Sequence, residues 1–305
     1  MDWTVFKLIS WTETYFTRHQ IDSPRLTAEI LLGFCLGVRR LDLYLQHDRP
    51  LEKQELTRFK TLIQRRKNHE PVAYITGEKG FFESSFQVGP GVLIPRPDTE
   101  TLVTTALSVL DEIPRNPQKI LELGVGSGAI VISLAKAHPE HLFFAGDISR
   151  IALDAARKNA AREKEIGTIH FFNGSWFAPL TTGPFFDVIV SNPPYIPTED
   201  IFGLAPEIRD HEPRSALDGG HDGLTCIREL VTHAGDFLVP GGQLLLEMGF
   251  DQKADVTALA KACPQFDQIN IVQDLAGQNR VAQLKKKLIK FFVFDIHVRI
   301  FIRSV

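Results

Sequence analysis

Cysteine is scarce in this chain. Cys35, Cys226 and Cys263 are spread over 305 positions, with no metal-type spacing between them. That argues against a disulfide-stapled secreted domain, and a reduced, cytosolic protein is expected. Net charge is small as well: 34 Lys and Arg stand against 37 Asp and Glu, a formal -3. A general nucleic-acid binder is therefore not expected, although a local basic patch is compatible with this balance. Long hydrophobic runs are missing too. No stretch reaches the roughly eighteen apolar residues of a membrane-spanning helix, so no membrane partner is expected. The opening MDWTVFKLISWTETYF has an early acid and no apolar block ending in small residues, unlike a signal peptide. What is present is 44% apolar and 23% charged residues, ordinary for a globular protein with a substantial core. The length suggests two domains.

Residues 1–76 read as a small helical domain. Trp3, Phe6, Leu8 and Ile9 begin an amphipathic pattern that reaches Phe16. In DSPRLTAEILLGFCLG, Ser23 is the expected N-cap, Pro24 the first helical position, and Gly33 or Gly37 lies near the end. LEKQELTRFKTLIQRRKN is a third amphipathic helix whose charges nearly cancel, which suits a solvated face better than a nucleic-acid arm. At residues 77–97 the period changes. Phe82, Phe86 and Val88 are evenly spaced and Gly89-Pro90-Gly91 marks a turn, so a β-hairpin linker is expected. DTETLVTTALSVLDEI then restarts a helix, with Asp98 or Thr99 as cap.

Residues 98–288 read as the second domain. After Pro117, apolar strands alternate with helices: KILELGVG, HLFFAGDIS, TIHFFNGSW, FDVIVSNPPY and GQLLLEMG, then QINIVQDLAG and NRVAQLKK. Seven such strands imply an α/β fold with a doubly wound, mostly parallel sheet. Residues 289–305 form an apolar tail, broken by Asp295, His297 and Arg299, with no assigned role. An added strand and a membrane-surface segment are its alternatives.

Three motifs carry chemistry. ELGVGSG follows a strand and opens a helix; Gly124, Gly126 and Gly128 let a backbone approach a ligand closely. The spacing is tighter than the dinucleotide fingerprint, and no Lys-Ser/Thr follows, so it is not a Walker loop. A plain tight turn is the alternative. Asp147 ends the next strand, about twenty residues on, where an acid can accept both ribose hydroxyls; capping the helix near Arg150 is the alternative. The third strand ends in NGSWF, and Trp176 suits either an adenine wall or core filling. Together these point to an adenosine cofactor without separating NAD from S-adenosylmethionine. The third motif is Asn192-Pro193-Pro194-Tyr195. It combines an amide that can donate and accept, two residues of fixed φ and an aromatic ring.

A hydride enzyme has no evident use for that loop. The motif set resembles the S-adenosylmethionine-dependent amino-methyltransferases, where an Asn/Asp-Pro-Pro-aromatic loop holds the nitrogen to be methylated. EPVAYITG, GVLIPRPDTETLV, ILELGVGSGAIVISLA, VSNPPYIP and HEPRSALDGGHDGL together resemble the glutamine N5-methyltransferases that act on peptide-chain release factors. The resemblance covers most of the chain. It implies a class I, Rossmann-like methyltransferase domain behind a helical substrate-recognition domain. It implies S-adenosylmethionine as donor, S-adenosylhomocysteine as product, no metal, and a monomer acting on class I release factors in the cytoplasm. Glu122, Gly124, Val125, Gly126, Ser127 and Gly128 would wrap the methionine end. Asp147 would hold the ribose, Trp176 would border the adenine, and Asn192 would face both cofactor and substrate. Asn192, Pro193, Pro194 and Tyr195 would bind the glutamine of a Gly-Gly-Gln tripeptide, with Asn192, Pro193 and Tyr195 serving catalysis. The sequence departs from the family pattern in having Glu122 for an aspartate and Ser175 for an acid before the tryptophan.

An amide nitrogen is a poor nucleophile because its lone pair is delocalised into the carbonyl. Acceptors facing its N–H groups, such as the Asn192 amide oxygen and the Pro193 carbonyl, would gain strength as positive charge develops. Tyr195 would be an apolar wall, and the proton is expected to leave to water. The competing readings are a ribosomal-protein glutamine as acceptor, N6-adenine methylation of DNA or RNA with a flipped base, and a non-catalytic scaffold. Arg96, Glu100, Glu212 and Arg214 suit either site contacts or loop fixing. His138 and His141 read as surface residues, not metal ligands. The chain's own Pro240-Gly241-Gly242-Gln243 reads as an ordinary turn, not a self-substrate.

Overall fold

Five helices precede the first strand: α1 (Val5–Arg18), α2 (Pro24–Leu36), α3 (Arg40–Leu45), α4 (Lys53–Lys67) and α5 (Val72–Thr76). The computed structural model describes residues 3–288, so the tail 289–305 lies outside the described residues. Val5, Leu8, Ile9 and Phe16 form the buried stripe of α1 and share a core with Leu31 and Leu32 of α2 and Phe59 and Ile63 of α4. Gly37 closes α2 at φ +67° and Pro24 opens it. Ser23 stands at the cap position but makes no capping bond. Its left-handed backbone, at φ 47°, differs from the extended conformation that aims a capping side chain at the first turn.

The hairpin pairs β1 (Glu78–Phe81) with β2 (Ser84–Gln87). Its own turn falls at Phe82, and Gly89-Pro90-Gly91 makes the expected turn after β2, closed by the Val92 N–H on the Gly89 carbonyl at 3.0 Å. Phe82 is an exposed turn residue at φ 50°, and the buried aromatic pair is Phe81 with Phe86. Even spacing misled here because the turn interrupts the alternation. Gly91, at φ +88°, also lets the linker pass Ile151, whose Cγ2 would stand 3.2 Å from an added Cβ. A 3-10 turn at Pro97–Thr99 leads into α6 (Glu100–Glu112), and neither Asp98 nor Thr99 caps it with a side chain.

The sheet follows: β3 (Lys119–Leu123), α7 (Ala129–Ala137), β4 (Leu142–Asp147), α8 (Arg150–Ala160), β5 (Thr168–Asn173) and β6 (Phe186–Ser191). Then come α9 (Pro206–Arg209), α10 (Thr225–Phe237), β7 (Leu238–Glu247), α11 (Lys253–Ala262), β8 (Phe266–Gln273) and β9 (Asn279–Lys286). The strand order is β5-β4-β3-β6-β7-β9-β8, with only β9 antiparallel to its neighbours. Ile120 and Val188 face one apolar layer, and Leu121 and Ile189 the other. Burial on both faces explains why these strands read as unbroken apolar runs. The order reverses between β3 and β6, and in such sheets the ligand crevice lies beyond the strand ends at that point.

Two features differ from expectation. Helix α11 had no strong signal, since only Val256 and Ala260 of its ten residues are buried. Pro240 to Gln243 lies inside β7, not in a turn before it. Pairing shifts between Phe186↔Leu238 and Val188↔Gln243, and Gly241 takes φ +79°. A bulge uses glycine just as a turn does.

Candidate active site

A cleft of about 260 Å³ opens at the switch point. Four strand ends contribute to it: Gly124 and Gly126 after β3, Asp147 to Ser149 at β4, Gly174 to Trp176 after β5, and Asn192 and Pro194 after β6. Gly91 and Leu93 of the linker also line it, with Pro213, Ser215, Ala216 and Cys226. Pattern reading missed this second group, which lacks the strand-end position that marks the first.

The three loop glycines have φ values of +80°, +55° and +84°, which favour glycine at each. Their surroundings differ. A Cβ on Gly126 would meet open space, whereas one on Gly128 would stand 2.8 Å from Ile132 Cδ1 and 3.2 Å from Ala156. Gly128 therefore serves the packing of α7 on α8. Buried Asn159 ties the loop to the hairpin, donating to the carbonyls of Ser127 at 2.8 Å and Gln87 at 3.0 Å. Glu122 does not reach the cleft. Its Oε2 accepts the Val131 N–H at 2.9 Å beneath the loop, and its Oε1 has no partner. Burial, with Asp147 nearby, pushes this carboxyl well above the usual range. Val125, Ser127 and Gly128 likewise back the loop rather than line the cleft.

Asp147 does line it. Its Oδ2 accepts the Gly126 N–H at 2.9 Å and its Oδ1 the Ser149 N–H at 2.8 Å. Burial raises its pKa, and the backbone donors of Gly126, Ser149 and Ile148 only partly offset that. Helix capping belongs to Ser149, whose hydroxyl accepts the Ala152 N–H at 3.2 Å. Trp176, at φ 46°, shares the cleft wall while packing on the core.

Ser191 anchors the last motif, donating to the Leu123 carbonyl at 2.6 Å. Asn192 Nδ2 donates to Thr99 Oγ1 at 3.1 Å. Pro193 is buried and does not line the cleft. Tyr195 also stands off the cleft lining: its ring joins the core and its hydroxyl donates to Glu247 Oε1 at 3.1 Å. Burial and the Glu247 carboxylate push the phenol up. Glu247 itself is buried at the end of β7. Burial lifts its carboxyl to about 7 against the pull of Thr99, Tyr195 and Arg280. Neither Thr99 nor Glu247 was anticipated as part of a site. Yet LLLEMG ends an apolar strand in an acid just as LFFAGD does, and that signal could have found Glu247.

The four residues of open role all make loop contacts. Arg96 pairs with buried Glu212, which also accepts the Ile94 N–H at 3.0 Å. Arg214 pairs with Asp218 at 3.1 Å, and Glu100 accepts the Phe82 N–H at 3.0 Å. The surface reading of His138 and His141 is corrected: His141 is buried and His138 partly so. Their rings stack at 5.3 Å beside Glu140, with candidate ligand atoms within 4.8 Å of one another. The Gln118 N–H faces His141 Nδ1 at 3.4 Å, which leaves the ring proton on Nε2, towards Glu140 at 3.7 Å. In that tautomer Nε2 is a donor rather than a metal ligand.

Seven strands in this order, a glycine loop after β3, an acid ending β4 and Asn-Pro-Pro-Tyr after β6 define a class I methyltransferase. A family model for the PrmC N-terminal domain matches residues 7–77, and one for the methyltransferase small domain matches residues 100–205. The release factor glutamine methyltransferase of Geobacter sulfurreducens is 42% identical over 281 residues, covering 92% of this chain and 95% of its own. That of Vibrio cholerae is 42% identical over 260 residues, covering 85% and 89%. The chain belongs to the release factor glutamine methyltransferase family. Among solved structures, a release-factor-specific protein-(glutamine-N5) methyltransferase from Alicyclobacillus acidocaldarius is 30% identical with a TM-score of 0.40, covering 66% of this chain and 99% of that one.

Proposed function

We propose that this enzyme transfers a methyl group from S-adenosylmethionine to the side-chain amide nitrogen of the glutamine in the Gly-Gly-Gln motif of peptide-chain release factors, leaving S-adenosylhomocysteine. The observation that carries the reading is the Asn192 amide at the cleft, its nitrogen engaged by Thr99 and its oxygen left for a substrate N–H. The cleft suits the donor. Gly126 leaves open space, Asp147 offers acceptors beside it, and Trp176 offers an apolar ring. When bound, S-adenosylmethionine supplies a methyl group on a positively charged sulfur, which keeps the bonding pair as the methyl leaves.

The protein's part is orientation and charge. The Asn192 oxygen accepts an N–H group of the substrate amide and holds its lone pair forward. It strengthens as the nitrogen becomes positive, and the two proline rings that follow keep the loop from turning away. The Pro193 carbonyl, expected as a second acceptor, belongs to a residue that does not line the cleft. One proton then leaves to water. Glu122, Val125, Ser127 and Gly128 support the glycine loop from behind, and Tyr195 acts through its hydroxyl rather than as a wall. Residues 1–76 serve as the recognition domain for the release factor, joined by the linker 77–97 to the catalytic domain 98–288. Phe6, Phe34, Leu41, Tyr44 and Leu45 are exposed there and suit a protein partner. A monomer in the cytoplasm fits this role. The three cysteines are unpaired, and no helix among the described residues is long and apolar enough to cross a membrane.

The test is label transfer from methyl-labelled S-adenosylmethionine, offered a release factor, ribosomal proteins and an adenine oligonucleotide. Label on the Gly-Gly-Gln glutamine is expected. Label on the oligonucleotide or a ribosomal protein alone would replace this reading. Asn192→Ala should keep cofactor binding within about threefold and lose about 100-fold or more in kcat, measured by calorimetry and initial rates.

A further inference from the structure

We propose that Gln252 is a positioning residue for methyl transfer, its side-chain amide clamping the end of the Asn-Pro-Pro-Tyr loop to the loop at Gly223. The inference rests on the amide-methylation reading above. Gln252 does not line the cleft and acts through the backbone of the motif. It stands at the N-terminal end of α11, just beyond β7, and is 7% exposed. Its Nε2 donates to the Tyr195 carbonyl at 3.0 Å and to the Gly223 carbonyl at 3.3 Å. Its Oε1 accepts the Gly249 N–H at 2.8 Å. The three partners fix which end of the amide is which, since Gly249 offers a donor and the other two offer acceptors.

The two clamped segments already run side by side. The Ile196 N–H donates to the Leu217 carbonyl at 3.0 Å, the Gly219 N–H to the Ile196 carbonyl at 2.8 Å, and the Thr198 N–H to the Gly220 carbonyl at 2.9 Å. Gln252 closes this zipper at the end nearest the motif. The approach there is too close for a side chain: a Cβ on Gly223, at φ +72°, would stand 2.4 Å from the Tyr195 oxygen and 2.7 Å from Gln252 Nε2. Before the zipper lie Pro213, Ser215 and Ala216, and after it Cys226, all on the cleft wall. One buried amide therefore joins the methyl-acceptor loop to the wall beside it.

The motif is pinned at four points: the Ser191 hydroxyl on the Leu123 carbonyl, the Asn192 amide on Thr99, the Tyr195 hydroxyl on Glu247, and the Tyr195 carbonyl on Gln252. Between Asn192 and Tyr195 stand two residues of fixed φ. Such a link transmits a shift of the Tyr195 peptide to Asn192 instead of absorbing it. A displacement of about 1 Å at a reacting centre can cost about 100-fold in rate. The glycine loop and Asp147 lie on other strand ends, so loss of the clamp should spoil the aim of the substrate amide and spare cofactor binding.

The test compares wild type with Gln252→Met, Gln252→Glu and Gln118→Met, after circular dichroism shows each to be folded. Gln118 is the matched control. It is 2% exposed and its Nε2 likewise spans two carbonyls, Leu110 at 2.7 Å and Ile113 at 3.2 Å, but it sits just before β3, away from the cleft. Calorimetry with S-adenosylhomocysteine counts binding sites and gives their affinity. Release-factor methylation gives KM and kcat per binding site, a quantity that mere loss of folded protein does not move. Gln252→Met keeps the length and none of the bonds. It should lose about 10- to 100-fold in kcat per site, with cofactor Kd and release-factor KM within about threefold. Gln252→Glu keeps an acceptor for Gly249 but sets an oxygen against two carbonyls, and should lose at least about tenfold. Gln118→Met should hold kcat per site within about twofold. A Gln252→Met enzyme within about twofold of wild type in kcat per site overturns the proposal. So does an equal loss in Gln118→Met, or a loss confined to cofactor affinity. If Gln252→Met does not fold, Gln252→Glu against the control decides. Wild type that never labels the glutamine rejects the functional reading itself, whereas an active wild type with an unaffected Gln252→Met variant rejects only the clamp.

Discussion

Gly126 and Gly128 stand two positions apart in one loop and answer to different demands. An alanine at 128 meets Ile132 and Ala156 as well as an unfavourable φ, so Gly128→Ala should cost about 2–4 kcal/mol of stability in urea melts. Gly126→Ala finds open space and should cost only about 1 kcal/mol. Its larger effect should be on cofactor affinity, because the new methyl group intrudes where the ligand would lie beside Asp147. Equal loss of stability in both would contradict this division. At this scale the sequence was informative wherever a residue type announced itself: glycines after a strand, an acid closing one, Asn before two prolines. It was mute on direction. Nothing in ELGVGSG tells that Glu122 points under the loop to Val131 while Asp147, 25 positions later, points into the cleft. Nor does Thr99 declare itself, because its partner Asn192 is 93 residues away.

Among elements, the central strands were legible because burial on both faces leaves an apolar run that few other structures produce. Helix α11 was not, because an element that buries two residues has almost no pattern. The segment around α9 was also opaque, because beyond its own short turns it is tied down by distant partners. Buried Arg66 of α4 pairs with Glu207, the Asn68 carbonyl accepts from His211, and Arg96 pairs with Glu212. This segment leads to Pro213, Ser215 and Ala216 on the cleft, so the helical domain braces one wall of the site. Arg66→Ala removes that brace and a bond to the Glu70 carbonyl at 3.0 Å. It should cost about 1–3 kcal/mol, speed proteolysis within residues 203–217, and raise KM for the release factor. Unchanged proteolysis would show that the segment is held without it.

For the molecule as a whole, the buried Glu247 has a measurable cost. Its carboxyl titrates at about 7 when folded against an ordinary 4.5. Between those values the unfolded chain has released the proton and the folded protein has kept it, so stability falls as pH rises through that window and levels off above it. Glu247→Gln does not titrate. Its stability relative to wild type should therefore climb by about 2–3 kcal/mol from pH 5 to pH 8, read from paired denaturation curves. A constant difference would mean that the group is not shifted. The bulge in β7 has a consequence at the same scale. It builds the chain's own Gly-Gly-Gln into the sheet, where Gln243 is 5% exposed, pairs with Val188 and Lys285 in the ladder, and accepts a bond from Gln283 at 2.8 Å. Another copy could seize that triplet only by prising apart three strands. Molecules of this enzyme should thus be blind to one another, however crowded they are, because the three letters alone are not enough when they are woven into a sheet.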